Sequence, residues 1–208
     1  MFRELLRQRL AGVASLTSHE LRLLEEHYQL LVRWNRVLNL TAIEDLAEVV
    51  ERHYCESVFL ALHLPSHPLR VADLGSGAGF PGFPLAVLRP DCVVTLVEVH
   101  RRKAVFLREA SRGLSNVRVL SARFEDVAEA PFDRLVSRAV SYKDLKPALK
   151  ELGPAADLLT GEEAPPADLG FIWDAPILLP WGRNRFLRSG ISRETGKGGV
   201  SHETAESA

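Results

Sequence analysis

The chain has 208 residues, 46% of them hydrophobic and 25% charged, which suits one cored domain, or one domain with an extension, facing water. Lys and Arg number 26 against 27 Asp and Glu, a formal net charge of -1, so a uniformly basic nucleic-acid binder is excluded and any such surface has to be a local patch. Cys55 and Cys92 stand far apart in different expected elements, which excludes a disulfide framework and a cysteine metal cluster, and no metal is expected.

No apolar run approaches the length that spans a bilayer, and Met1 to Leu10 lacks a signal-peptide pattern, so a cytoplasmic address without membrane contact is expected. Residues 1–65 read as a helical extension. Thr17 and Glu20 form a capping-box signal. Leu21, Leu24, Tyr28, Leu31, Trp34 and Leu38 then recur at the spacing of one helix face. Asn39, Leu40 and Thr41 break the pattern, and a second helix is predicted from Asp45 to about Leu62, closed by Pro65 and Pro68. From residue 66 to 190 the texture alternates. Strands are predicted at Arg70–Leu74, Val93–Val97, Val117–Leu120 and Asp133–Ser137, with helices at Pro81–Leu88 and Lys103–Leu114 between them. Such alternation predicts an α/β domain with a parallel sheet and helical crossovers. Beyond Gly153 the pattern weakens, with short late strands at Phe171–Trp173 and Phe186–Leu187. Residues 191–208 read as a small, polar, disordered tail.

The densest signal is the stretch after the first strand, where Asp73, Gly75, Gly77 and Gly79 alternate ahead of a helix. Glycine lets the backbone turn sharply and approach a ligand closely. Glu98 ends the next strand, where a carboxylate accepts hydrogen bonds from a ribose diol. Two cofactors compete for this arrangement. Gly77, Gly79 and Gly82 also fit the dinucleotide fingerprint, with Glu98 about 20 residues on. Asp73 favours the other ligand: a carboxylate there repels a pyrophosphate but suits S-adenosylmethionine, a sulfonium with a free ammonium group.

With these residues in view the chain resembles the bacterial 16S ribosomal RNA guanine-N7 methyltransferases (glucose-inhibited division protein B). The likeness runs in order through Arg33-Trp34-Asn35, Asn39-Leu40-Thr41, Arg52-His53 with Glu56-Ser57, the loop Asp73 to Gly82, Phe106-Leu107-Arg108 and Ser137-Arg138-Ala139. The resemblance implies a class I, Rossmann-like methyltransferase sheet behind an N-terminal helical extension, using S-adenosylmethionine. It implies cofactor contacts at Gly75, Phe80, Phe124, Glu125 and Arg138, with Glu98 at the ribose and Arg138 the one candidate at the reaction centre. It also implies a substrate in the decoding-centre loop of 16S ribosomal RNA, met as RNA or as the small ribosomal subunit. One departure stands out: the lysine that normally follows the fifth strand is replaced around Leu159-Thr160-Gly161.

Guanine N7 carries no proton, so methylation there needs alignment and no general base. The cysteine nucleophile that pyrimidine C5 methylation requires has no suitable candidate, since Cys55 and Cys92 both read as small buried residues. Three basic groups are candidates for RNA phosphates: Arg33 and Arg36 in the extension, Arg101, Arg102 and Lys103 after the second strand, and Arg183 and Arg185 near the end. His53 is a further RNA-facing candidate, and the protein is expected to act as a monomer. The competing function is an NAD-linked oxidoreductase, or a cofactor-binding module without catalysis.

Overall fold

The computed structural model describes residues 1–128 and 131–193. Most of the tail predicted over 191–208 lies outside the described residues. In the extension, α1 (Phe2–Leu10) buries Phe2, Leu6 and Leu10, one residue per turn. α2 (Ser18–Leu38) starts at the predicted capping box: Thr17 Oγ1 accepts from Glu20 N (3.2 Å) and Glu20 Oε2 accepts from Thr17 N (2.6 Å). It stops at Asn39, whose φ of 47° is left-handed, a conformation that asparagine tolerates. Asn35 then clasps the turn, donating to Thr41 O (3.0 Å) and accepting from Thr41 N (2.9 Å).

The second predicted helix is real but not uniform. α3 (Leu46–Val49), capped by Asp45, runs into a π-helical turn over Val50–Cys55 and continues as α4 (Glu56–His63). In the π turn the Glu56 N–H reaches back to Glu51 O, one carbonyl further than the α pattern. That wider register spares the carbonyl of Arg52.

The sheet contains β1 (Arg70–Leu74), β2 (Val93–Val97), β3 (Val117–Leu120), β4 (Arg134–Arg138), β5 (Ala155–Thr160), β6 (Phe171–Trp173), β7 (Ile177–Leu178) and β8 (Phe186–Ser192). Its order is β3-β2-β1-β4-β5-β8-β6, with β7 beside β8. The pairs among β1 to β5 are parallel, and β8 runs antiparallel to β5. The crossover helices are α5 (Gly82–Leu88), α6 (Arg101–Ala110) and α7 (Tyr142–Glu151). α7 is missing from the sequence-based expectation because Pro147 interrupts it; Ser141 nevertheless caps its start. α6 begins two residues earlier than predicted, which puts Arg101 and Arg102 in its first turn.

Strand order reverses between β1 and β4, so the carboxyl ends of those strands open a crevice, the usual ligand position in such sheets. The extension has no separate core. Leu21, Leu24 and Tyr54 belong to one apolar cluster with Phe83, Leu96 and Phe106, while a second cluster with α7 fills the opposite face. Each fully buried leucine contributes about 1.5–3 kcal/mol, so extension and sheet hold each other in place. No helix among the described residues is long and apolar enough to cross a membrane.

Candidate functional site

β1 delivers Asp73 to the crevice, and the loop after it turns on three left-handed glycines: Gly75 (φ 73°), Gly77 (φ 56°) and Gly79 (φ 91°). The N–H groups of Gly75 and Ser76 both bond Val97 O, at 3.0 and 3.1 Å, which seats the loop on the end of β2. A side chain at Gly75 would put a Cβ 2.5 Å from Val140 Cγ2, so the site tolerates hydrogen alone.

Asp73 is wholly buried. Its Oδ2 accepts from Gly82 N (3.0 Å), whereas Oδ1 has no hydrogen-bond partner among the described residues. Burial pushes its carboxyl up to about 7, against the opposing pull of the Gly82 bond. Asp73 thus lies under the loop, against Gly82 and Leu96.

Glu98 is also buried. Its Oε2 accepts from Gly77 N (2.9 Å) and its Oε1 from His100 N (2.8 Å), so it ties the glycine loop to the start of α6. Each oxygen keeps a further lone pair for a hydroxyl. Phe124 and Glu125 sit on a 3-10 turn (Phe124–Asp126), Phe124 half-buried and Glu125 exposed. The Phe124 ring comes within 3.9 Å of the position of a Cβ on Gly75, which places it beside the loop.

Arg138 ends β4 and is the centre of a set of contacts that cross the whole chain. Its Nη1 donates to Arg52 O (2.5 Å) and to His53 Nδ1 (2.6 Å), and its guanidinium lies 5.3 Å from the centroid of the Phe80 ring. Burial lowers its pKa to about 10, which leaves a full cation at neutral pH. Arg138 lines a cavity of about 430 Å³ with Val140, Tyr142, Lys143 and Thr160, at the carboxyl ends of β4 and β5.

Two of the RNA candidates are corrected here. His53 is buried at 2%, with Nε2 against Thr41 Oγ1 (2.8 Å) and Nδ1 against Arg138, so neither ring nitrogen is open to RNA. Burial and the neighbouring Arg138 charge lower it to about 2, a neutral imidazole. Arg185 forms a fork on the buried Glu56 (3.1 and 2.8 Å) and is spent on that pair. Arg33, Arg36, Arg101, Arg102 and Arg183 are exposed, and Lys103 is half-buried. The helices that carry two of these groups pack together, α2 on α6, with Trp34 against Phe106 (5.8 Å between ring centroids). At the place of the expected lysine, Thr160 ends β5 and its hydroxyl accepts from Arg188 Nε (3.0 Å).

Sequence reading missed His27. Its Nε2 faces Ala78 O (3.0 Å) and its Nδ1 faces Tyr54 Oη (2.8 Å), while its ring stacks on Phe83 (4.2 Å). A carbonyl only accepts, so Nε2 carries the proton, and the extension grips the glycine loop through it. Burial lowers His27 to about 3. The signal was present: His27 stands three residues after Leu24 and four before Leu31, on the buried stripe where Tyr28 was counted instead. Both cysteines are buried, and burial raises each thiol, which removes their nucleophilicity. Among the described residues no cluster fit to hold a metal ion is found.

Residues 20–153 match the family described as rRNA small subunit methyltransferase G. A protein of that name from Xanthomonas campestris pv. campestris (strain B100) is 50% identical over 114 residues, 53% of each chain. Another, from Chromobacterium violaceum, is 42% identical over 140 residues, 65% of this chain and 66% of that one. The chain thus spans about half the length of the first of these relatives, and two thirds of the second. Among solved structures, a SAM-dependent methyltransferase from Aquifex aeolicus superposes with a TM-score of 0.58 at 18% identity, over 74% of this chain and 97% of that one. A ribosomal protein L11 methylase from Lactobacillus delbrueckii subsp. bulgaricus gives 0.54 at 12% identity, over 72% and 80%. At such identities the likeness is one of fold, the class I methyltransferase sheet.

Proposed function

The chain belongs to the rRNA small subunit methyltransferase G family, and from that premise we propose that it transfers a methyl group from S-adenosylmethionine to N7 of a guanosine in the decoding-centre loop of 16S ribosomal RNA. The observation that carries the reading is the Asp73 carboxylate, buried beneath the glycine loop at the strand-order reversal with one oxygen unpartnered among the described residues. A carboxylate there favours a ligand that brings positive charge and opposes a pyrophosphate, which disfavours the NAD-linked alternative. The surroundings fit the cofactor: a loop at Gly75 to Gly79 whose glycines let a ligand approach the backbone closely, the Glu98 oxygens for a ribose, and Phe124 for a flat base. When bound, the cofactor supplies the methyl group on a sulfonium.

The chain's own residues have a modest chemical task. Guanine N7 offers a lone pair without a proton, so no side chain has to act as a base. The inertness of both cysteines agrees with a route that needs no protein nucleophile. What the site has to supply is alignment of the two reactants. In this reading the cavity beside Arg138 receives the target base next to the glycine loop, and the exposed arginines of α2 and α6 hold phosphates. A monomer in the cytoplasm, meeting the RNA or the small subunit, completes the proposal, with residues 1–65 as extension and 66–190 as methyltransferase domain.

The test is tritiated methyl transfer from S-adenosylmethionine to small-subunit RNA, free and assembled, with mapping of the labelled nucleotide. N7-methylguanosine at one site in the decoding-centre loop is expected. Label on an exocyclic amine or on carbon, or none on either substrate, would sink the proposal.

A further inference from the structure

Arg138 is a cation whose hydrogen-bond acceptors are neutral, while the buried Glu56 and Asp73 carboxylates act on its charge from a distance. Its contacts are the Arg52 carbonyl, the His53 ring nitrogen and the face of Phe80. Two of the three come from the π turn of the extension, which lies 85 and 86 residues away in sequence. The π register is what makes the first contact possible. In an α-helix Glu56 N–H would take the Arg52 carbonyl; here it bonds Glu51 O, and Arg52 O accepts from Arg138 instead.

The second contact has a fixed polarity. A guanidinium only donates, so His53 Nδ1 accepts and the neutral ring carries its proton on Nε2. That proton goes to Thr41 Oγ1, and Thr41 is in turn clasped through its backbone by Asn35. A chain of hydrogen bonds therefore runs from α2, through the turn at Asn39 to Thr41, to the end of β4. The His53 ring also lies against Phe80 (4.7 Å between centroids), so the arginine has one seat built from ring faces and acceptors.

We infer that His53 and the π turn of the extension form a positioning device for Arg138, fixing its guanidinium through neutral acceptors so that it presents its charge to an anionic group at the cavity it lines. This rests on the reading that Arg138 lies at the methyl-transfer site. It gives the helical extension a role in the chemistry that is separate from RNA capture. Two kinds of anion present themselves there, a carboxylate of the cofactor or a phosphate of the RNA, and the separate binding measurements below distinguish them.

Four variants decide the matter: Arg138→Gln, His53→Phe, His53→Asn and Thr41→Val. Each is measured for S-adenosylhomocysteine affinity by calorimetry, for kcat and KM with the small subunit, and for its urea midpoint. His53→Phe keeps a flat ring against Phe80 but removes the acceptor. It is expected to lose about tenfold or more, the usual effect of losing a hydrogen bond to a charged group, in the same parameter that Arg138→Gln lowers. His53→Asn places an oxygen close to the former Nδ1 and is expected to recover most of that loss, which a purely structural role would not produce. Thr41→Val removes the acceptor of Nε2–H and should shift the same parameter by a smaller factor. Should His53→Phe fail to fold, the Asn and Val variants carry the test alone.

Wild-type parameters in folded His53→Phe, with Arg138→Gln impaired, would overturn the positioning device and leave the arginine's role standing. Wild-type parameters in Arg138→Gln would overturn the placement of Arg138 at the site, and the inference with it. Equal losses in His53→Phe and His53→Asn would also overturn it, because the acceptor would then not be the feature that matters.

Discussion

Asp73→Asn is expected to make the cofactor-free protein more stable at pH 8 while weakening cofactor binding. The folded carboxyl holds its proton up to about 7, against 3.8 when exposed, chiefly through burial. At about 1.4 kcal/mol per unit, keeping this group ionised in the fold costs on the order of 4 kcal/mol. The sign follows from proton counting. Below about pH 4 both folded and unfolded states carry the proton and the cost vanishes. Between pH 4 and 7 only the folded state carries it, so stability falls as pH rises, and above 7 the cost is constant. Asparagine removes the charge and keeps an acceptor for Gly82 N–H, but its amide brings a buried donor into the place of Oδ1, at about 1–3 kcal/mol. The balance at pH 8 is a gain of about 1–3 kcal/mol, or a Tm rise of about 2–12 °C for a chain of this size. Near pH 5 the gain should disappear. Thermal unfolding at pH 5 and pH 8 without cofactor measures this, and calorimetry with S-adenosylhomocysteine should show affinity reduced about tenfold or more. A Tm difference that does not change with pH would refute the burial argument, and undiminished affinity would refute the role of the charge.

Gly82→Ala should destabilise by about 1–3 kcal/mol in urea unfolding, because its Cβ would lie 2.4 Å from Leu96 Cδ2 and 2.6 Å from Asp73 Oδ2. Arg185→Ala should cost about 1–3 kcal/mol by the same assay, since buried Glu56 loses its fork and keeps only Arg52 at 3.4 Å; a neutral result would mean that the pair is not what holds β8 to the extension. Replacing Arg36, Arg101 and Arg102 with alanine should lower RNA affinity and flatten its salt dependence by about 3 in slope, with cofactor affinity unchanged; parallel salt slopes in filter binding would show these arginines to be solvated only. Cys55→Ala with Cys92→Ala should retain methyl transfer, with a loss of stability from vacated core volume, and an inactive but folded double variant would contradict the proposed chemistry.

Local structure was legible in the residues alone. A capping box, an alternating glycine loop and short apolar runs bounded by turn residues act over a few bonds, and Thr17 with Glu20, the loop Asp73 to Gly79 and β1 to β3 stand where the pattern put them. Even the acids that flank the loop were legible, since their strand-end positions follow from the period of the sheet. What each polar side chain is for depended on packing. His53 and Arg185 read as candidates to face RNA, yet packing of the extension on the sheet gave them Arg138 and Glu56 as partners. His27 read as nothing at all until α2 came to rest on the glycine loop. Asp73 reads as a carboxylate suited to a sulfonium ligand, and only the close fit of Gly82 and Leu96 around it sets that carboxylate beneath the loop. The reason is physical: capping and turn formation depend on neighbours in the chain, whereas desolvation and hydrogen-bond partnership depend on which surfaces the folded chain brings together, here across more than 80 residues.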